Sequence, residues 1–482
     1  MTKQSALMTA TLAVALSSGA RAADPVVTFT RLWTHAHVTP GQVSEIPAFD
    51  KRTNTIWVAG VVGVDVLDAG TGVLLEHIDV TAHGLVNSVA IHNGLAALAV
   101  EAPSGPSDTV MGRRNPGVVL FYDTSTRTPS AGVNVVEVGA LPDMLTFTHD
   151  GSRLLVANEG TPNAGADRLY NTPDPAGSVA IIDMETRTVV ATAGFAGLPA
   201  EGGNLRTNTG MDFEPEYIAV SHDGTQAFVT VQEGNGIAVL DLTANEFTKI
   251  IGLGAKDFSV AGNEIDPKDN DGTVLFRSVA ARGLYMPDGV AVYQWRGGTY
   301  AVLANEGDFR EDNVDRSAAS SFGAVAPLDR LRVSNVDSSA GTLFAAGARS
   351  ISIRDADGTI VYDSGSLLDR EAHARGIYDD GRSRDKGVEP EGVALLDMLG
   401  RTYAFVGLER TTKSAVAIFD VTDPNQVTFV DMIVTAGDLA PEGLAAYHDR
   451  GGFYLAIANE MAPAGGTSNT TLYRLNPTLP KP

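Results

Sequence analysis

The chain has 482 residues, no cysteine, and 58 Asp and Glu against 35 Lys and Arg, for a formal net charge of −23 at pH 7. The absence of cysteine rules out a disulfide framework, a zinc–thiolate site and a cysteine nucleophile, and so acidic a chain is a poor partner for nucleic acid or an anionic membrane surface. An apolar fraction of 44% is too high for a disordered chain.

Lys3 opens the sequence, residues 6–16 form an uncharged and mostly apolar run, and Ala20-Arg21-Ala22 follows. This is the pattern of a secretory signal peptide with a small-residue cleavage site, and the run is well short of the ~20 residues that span a bilayer. The reading expects a leader over 1–22, a mature chain over 23–482, no membrane anchor, and a periplasmic or extracellular location.

Beyond the leader one unit recurs. It begins with a carboxylate, continues as an alternating apolar strand, a polar turn and a second strand, and often ends in Glu. It reads PDMLTFTHDGSRLLVANEG from Pro142, PEYIAVSHDGTQAFVTVQEG from Pro215, PDGVAVYQWRGGTYAVLANEGD from Pro287, PEGVALLDMLGRTYAFVGLER from Pro390 and PEGLAAYHDRGGFYLAIANE from Pro441. Weaker copies start at Ser44 and Asn87, which makes seven. A third strand follows most pairs, over 63–67, 117–122, 177–182, 236–240, 351–354 and 415–419, and several of these end in Asp. A fourth, more polar strand is legible after most of them, for example over 427–434. Period-two alternation and Asp-Gly turns favour strands throughout.

Seven units of four antiparallel strands predict an all-β fold, a seven-bladed β-propeller in one domain. The last unit offers three strands, and residues 26–33 precede the first unit without a partner. That N-terminal segment is expected to close the ring as the outer strand of the last blade, removing an open edge. Uneven spacing marks insertions near 160–175, 254–285 and 307–388; the largest is expected to hold a hairpin turning at Asp357-Gly358.

In an up-and-down blade, strand one starts where strand two ends, so acids at those two places share a face. Glu45, Asp143, Glu216, Asp288, Glu391 and Glu442, with Asn87 in one unit, form the first set. Glu101, Glu159, Glu233, Glu306, Glu409 and Glu460 form the second. Strand one lines the channel of a propeller, so up to twelve carboxylates are expected at one mouth. Like charges that close raise one another's pKa or require a counter-ion, and oxygen donors suit hard divalent cations, calcium first, with manganese or iron as alternatives. Against this stands the bland reading that a single acid at a strand end caps a turn or pairs with a neighbouring Arg.

The nine histidines offer no ligand spacing: His149 and His222 fall in polar turns, His35 and His37 on the terminal segment, and no H-E-x-x-H is present. The run from Asp266 through Asp269 and Asp271 to Gly272 resembles the start of a calcium loop, but Arg277 stands where the closing Glu belongs, so an Asx-turn loop is the expectation. No G-x-S-x-G and no Walker loop appears.

The motifs ANEG at Ala157, EPEYIAVSHDG at Glu214, GLYMPDGVAV at Gly283, LANEGDFRED at Leu303, DKGVEPEGVAL at Asp385, GLERTT at Gly407 and GDLAPEGL at Gly437 resemble the choice-of-anchor I family of secreted bacterial proteins. Its relatives include mesenchyme-specific cell-surface glycoproteins linked to biomineralisation and proteins described as atypical alkaline phosphatases. The resemblance implies a propeller in an extracytoplasmic, calcium-rich setting. By fold-level analogy, the acidic mouth is also similar to that of calcium-dependent phytase-like propellers.

Two functions follow as expectations. The first is metal-dependent hydrolysis of a small phosphate ester, in which cations reverse the local field and activate a water. Its metal ligands would come from Glu45, Asp143, Glu159, Asp212, Glu214, Glu216, Glu233, Asp288, Glu306, Glu389, Glu391, Glu409, Glu442 and Glu460. Arg410, Glu409 and Asp288 form the expected catalytic set, Arg410 on the phosphate, with Arg310 and Lys386 as further cations. The second is a non-enzymatic calcium-binding protein that uses the 307–388 insertion to meet a partner. A sugar or lactone hydrolase in the same tunnel is a weaker third idea, because it needs an acid held neutral near pH 7.

Overall fold

Strands such as TIWVAG (Thr55–Gly60) and SAVAIFD (Ser414–Asp420) are buried at every position. A strand covered on both faces has no solvent side to alternate with, so it must lie between two packed layers. The computed structural model describes residues 26–103, 112–160, 175–207, 213–269, 271–309, 315–463 and 466–478 and shows how those layers arise. The expected leader, Asp212 and Arg310 lie outside the described residues.

Among the described residues, seven sheets of four or five strands follow one another along the chain. Their first strands are Ile46–Asp50, Leu85–His92, Pro142–Phe147, Ile218–Val220, Val290–Trp295, Pro390–Met398 and Leu439–Asp449. Each sheet packs on the next through a shared apolar cluster. In the sixth sheet, Ala404, Val406 and Leu408 face the fifth sheet's Val302 and Ile351, while Tyr403 and Phe405 face the seventh sheet's Leu455 and Ile457. Successive residues of one strand thus serve two interfaces. The seventh sheet in turn packs on the first, Ala456 and Leu472 meeting Ile56, Val58 and Leu67.

The N-terminal strand Val26–Ala36 pairs antiparallel with Asn469–Thr478 and completes the last sheet as the sequence predicts. The Asp residues that end third strands are turn acceptors. Asp68, Asp123, Asp183 and Asp241 each take backbone N–H groups two or three residues on, which is the Asx-turn chemistry of such residues.

The hairpin turning at Asp357-Gly358 is not part of an insertion. Its strands Ser350–Asp355 and Ile360–Asp363 are the third and fourth strands of the fifth sheet. The insertion proper splits in two around them. It contributes the small hairpin Arg316–Ala318 and Arg332–Ser334 and one short helix, Leu367–Ala374. The 254–285 segment packs on the first part, with Phe258, Ile265, Leu331 and Val333 in one cluster. Polar ties lock the arrangement: Arg206 reaches Asp315 and Asp337, and Arg330 and Arg384 both reach Asp269. Asp266 accepts from the Lys268 and Leu275 backbone, so the calcium-like run is the Asx-type loop the sequence predicts.

Deleting residues up to 36 would expose the Asn469–Thr478 edge and uncover part of the cluster around Val27. The shortened chain is expected to melt at a markedly lower temperature and to self-associate through that edge, measured by thermal unfolding and light scattering. A monomer of unchanged stability would refute the clasp.

Candidate functional site

The backbone delivers the acids by a repeated irregularity. Pairing of strands one and two slips between Pro142 and Leu145, between Pro390 and Val393, between Pro441 and Leu444, and between Val86 and Ser88. Asp143, Glu391, Glu442 and Asn87 sit in these slips. A β-bulge turns a side chain out of the regular alternation, and here it turns the acid away from the sheet-to-sheet interfaces. Two residues earlier, Leu141, Met286, Glu389 and Ala440 all have φ between 44° and 54°, a left-handed conformation that non-glycine residues seldom adopt.

The residue after the acid explains why the motif so often ends in glycine. A Cβ on Gly289 would lie 2.6 Å from the Glu391 carbonyl oxygen, one on Gly392 2.5 Å from that of Glu442, and one on Gly443 2.3 Å from that of Glu45. Each glycine lets the acid-bearing backbone of the next sheet come into contact. The Gly443 N–H also donates to the Glu45 carbonyl at 2.9 Å.

These strands surround a cavity of about 580 Å³. Glu45, Asn87, Asp143, Glu159, Glu216, Asp288, Glu306, Glu389, Glu391, Glu409, Glu442 and Glu460 line it. Ligand-capable oxygens of Asp143, Glu159 and Glu216 lie within 4.8 Å of one another; so do those of Asp288, Glu306 and Glu391, of Glu306, Glu389 and Glu409, and of Glu391, Glu409 and Glu442.

Compensation is one-sided. Lys386 pairs with Glu306 and, at 2.9 Å, with Glu389; Arg382 holds Glu389 at 2.6 Å and Arg410 holds Glu409 at 2.6 Å. Gln232 donates to Glu306 at 2.6 Å. Among the described residues, no ion pair reaches Asp143, Glu216, Asp288, Glu391 or Glu442. Glu391 is within hydrogen-bond reach of both Asp288 and Glu409, a contact between carboxyls that needs a shared proton. Its Oε2 is buried with no partner, in a side chain only 8% exposed.

Burial first, and neighbouring carboxylates second, push these groups upward. Glu45 and Asp143 are pushed up to about 8, and Glu216, Glu391 and Glu442 well above the carboxylate range. Glu409 reaches about 7, burial outweighing the opposing pull of Arg410. Twelve oxygen-bearing side chains around one void, several with no cation, suit a hard divalent ion.

Glu101, Glu214 and Glu233 do not line the cavity. Glu101 turns to Arg113 at 3.4 Å, and Glu214 is buried two residues short of the mouth. Gln232 lines the cavity where Glu233 is expected; both lie in the turn 232–235 beyond the strand Gln226–Val231, where strand alternation no longer says which side chain faces inward. Sequence reasoning missed Tyr217, Asp308, Arg113, Arg316, Arg332, Arg382 and Asp385 at the mouth. Tyr217 follows Glu216 where the three later units have glycine, a departure that could have marked it. The basic residues come mostly from the insertion, whose path no local pattern specifies.

The choice-of-anchor I domain profile matches residues 45–424. The chain belongs to the choice-of-anchor I family. Domains of this family are typically extracellular or surface-associated, and among the described residues no helix is long and apolar enough to cross a membrane. No curated relative matches the sequence. Among solved structures, this choice-of-anchor I chain is similar to a chain of a mitotic checkpoint complex (13% identity, TM-score 0.50, covering 97% of this chain and 99% of that one). It is also similar to the WD40 domain of Toxoplasma gondii coronin (10% identity, TM-score 0.47, covering 95% and 87%). The likeness to the checkpoint chain, at such identity, speaks for the fold alone, which the seven consecutive sheets make all-β and propeller-like.

Two predictions follow from the geometry. Carboxyls whose folded pKa is raised hold protons more tightly in the native state, so their contribution to stability is present at low pH and lost as pH rises through about 7 to 8. Chelated protein should therefore melt at falling temperatures between roughly pH 6 and 9, and an added divalent cation should abolish that slope. A chelated protein with a flat profile would contradict it. Gly392→Ala should separate the sixth and seventh sheets and weaken cation binding at least tenfold, whereas Gly194→Ala, with open space around its Cβ, should leave binding unchanged by calorimetry.

Proposed function

We propose that the seven sheets are the blades of a closed seven-bladed propeller whose acidic mouth binds divalent cations, calcium foremost, and hydrolyses phosphate monoesters there. The observation that supports this reading is the meeting of uncompensated carboxylates and weakly held arginines in one cavity. Asp143, Glu159 and Glu216 on one arc, and Asp288, Glu391 and Glu442 on the next, are the ligand candidates. A divalent cation bound there would neutralise phosphate charge and acidify a water.

The chain's own residues divide the remaining work. Arg410 is engaged by Glu409 at 2.6 Å, so its first duty is to balance that acid. Arg316 and Arg332 are held more loosely, by Asp308 at 3.9 Å and Asp385 at 3.6 Å. They share one face of the insertion hairpin at opposite ends of its three residue pairs, Arg316 facing Ser334 and Arg332 facing Ala318. Guanidinium groups placed this way fit the planar, bidentate recognition of phosphate oxygens. Asp288 and Glu409 flank Glu391 and are placed to hold or pass a proton at its carboxyl. The family's extracellular or surface setting agrees with export by an N-terminal leader.

The test is hydrolysis of p-nitrophenyl phosphate by purified protein as isolated, after chelation, and after return of calcium, manganese or iron. Turnover should depend on metal and fall at least 100-fold in Glu391→Gln. Arg332→Ala should raise KM about tenfold with a smaller change in kcat, as expected for loss of binding common to ground and transition states. Bound calcium with raised melting temperature but no turnover on several esters would favour the non-enzymatic calcium-binding reading. Absence of any bound metal would refute both.

A further inference from the structure

Outside the mouth, the structure gathers histidines that the sequence leaves apart. His35 lies on the N-terminal strand Val26–Ala36 and His37 just beyond it, two residues on and therefore on the same face. Both meet Asp65, in the middle of the first sheet's third strand Gly63–Asp68. His77 is the register partner of Asp65 on the adjacent strand Leu74–Asp79.

Asp65 is out of keeping with the repeat. Strands GVDVLD, SVAIID and GIAVLD occupy the same place in the first, third and fourth sheets, and Ala180 and Ala238 stand where Asp65 does. Asp65 is 1% exposed. A carboxylate placed in an apolar layer where the fold accepts alanine calls for a partner of its own. Its two oxygens face His37 Nδ1 and His77 Nδ1, both at 2.6 Å. Burial would raise its pKa, but these hydrogen bonds outweigh that and hold Asp65 ionised below its usual value. His37 is steadied from behind by Thr470 Oγ1 at 2.8 Å, which in turn meets Ser44 Oγ at 2.8 Å.

The hydrogen-bonded set leaves one group unexplained. His35 Nε2 is buried without a hydrogen-bond partner, while its ring lies 5.1 Å from that of His37 and is tied to the Gly72 backbone.

We propose that His35, His37 and Asp65 form a second metal site that takes a zinc-class transition-metal ion and tethers the N-terminal strand to the first sheet. One ligand-capable atom from each lies within 4.8 Å of the other two. Zinc bonds of about 2.1 Å place ligand atoms on the order of 3–4 Å apart, a closure within reach of side-chain adjustment. Imidazole nitrogen with one carboxylate favours zinc, copper, nickel or iron over calcium, which separates this site from the all-oxygen mouth. On binding, Asp65 and His37 exchange their mutual hydrogen bond for bonds to the ion. The His37 ring proton moves from Nδ1 to Nε2, where it donates to Thr470 Oγ1, so the imidazole stays neutral and no proton is released. His77 acts as a positioning residue through the other Asp65 oxygen, the role such outer partners play around metals. Three protein ligands leave a position for water. The ion would sit where the first and last sheets meet.

The test uses full-length protein stripped of metal and supplied with excess calcium, so that the mouth is filled before zinc is added. Calorimetry should find one zinc equivalent, accompanied by a rise in melting temperature. Cobalt(II) in its place should give visible d–d absorption bands. His35→Ala should cost 10–100-fold in zinc affinity and remove those bands; His77→Ala should cost less, and Glu391→Gln should change neither. His37 is fully enclosed and its replacement could prevent folding, so the half-buried His35 is the leading variant, with calcium-dependent stabilisation as its folding control. Lack of any zinc-linked change in the wild-type protein would overturn the proposal. So would zinc binding that survives His35→Ala or is lost in Glu391→Gln.

Discussion

Contact between neighbouring backbones at the mouth is the constraint on which the rest of the structure depends. The glycine after one acid lies against the carbonyl of the next acid, from Gly289 to Glu391, from Gly392 to Glu442 and from Gly443 to Glu45. A side chain at any of these glycines would force the sheets apart. Without that approach the carboxylates would stand in solvent as ordinary surface charges. With it, they are drawn into triads whose oxygens fall within 4.8 Å. The bulges and the left-handed residues Leu141, Met286, Glu389 and Ala440 are the local strain that accompanies this geometry.

The chain contains two kinds of acid, and their environments set them apart. The Asp residues closing the third strands of the first four sheets are partly exposed and satisfied by the backbone N–H groups of their own turns; those hydrogen bonds lower the pKa of Asp123, Asp183 and Asp241. The mouth acids accept few such bonds, are desolvated by the converging strands, and face one another, so theirs rise. The same functional group thus has its pKa lowered at one end of a sheet and raised at the other. The insertion modifies this pattern on one arc only. Lys386 and Arg382 neutralise Glu306 and Glu389, leaving the arc of Asp143 and Glu216 as the more electronegative.

Much of this was legible because a repeat turns a weak local signal into a strong one. Alternation, Asp-Gly turns and the recurrent Pro-acid-Gly run placed the strands, and the unpaired segment at the N-terminus pointed to its partner at the C-terminus. The acids of strand one were recovered almost completely. The acids ending strand two were recovered less well: Glu159, Glu306, Glu409 and Glu460 reach the cavity, but Glu233 gives way to Gln232 and Glu101 turns to Arg113. Glu101 is the last residue of its strand and Glu233 lies in the turn beyond one, where period-two alternation no longer says which side chain faces inward. The hairpin at Asp357-Gly358 was read both as the third strand of its unit, over 351–354, and as part of the insertion; the first reading holds, because its strands extend the sheet begun by Val290–Trp295.

By itself, then, the sequence determined the strands, their grouping into repeated units, the class of the fold and the choice of family. These are properties of short-range periodicity, which survives in one dimension. Tertiary structure alone decided which acids are compensated, since Lys386, Arg316 and Arg332 arrive from an insertion with no periodic signal. It alone brought His35 and His37 to Asp65, whose strand partner is His77, because the N-terminal strand belongs to the last sheet and that sheet packs on the first. A ligand set made by closure has no spacing to read, because its members become adjacent through packing between sheets and not through position along the chain.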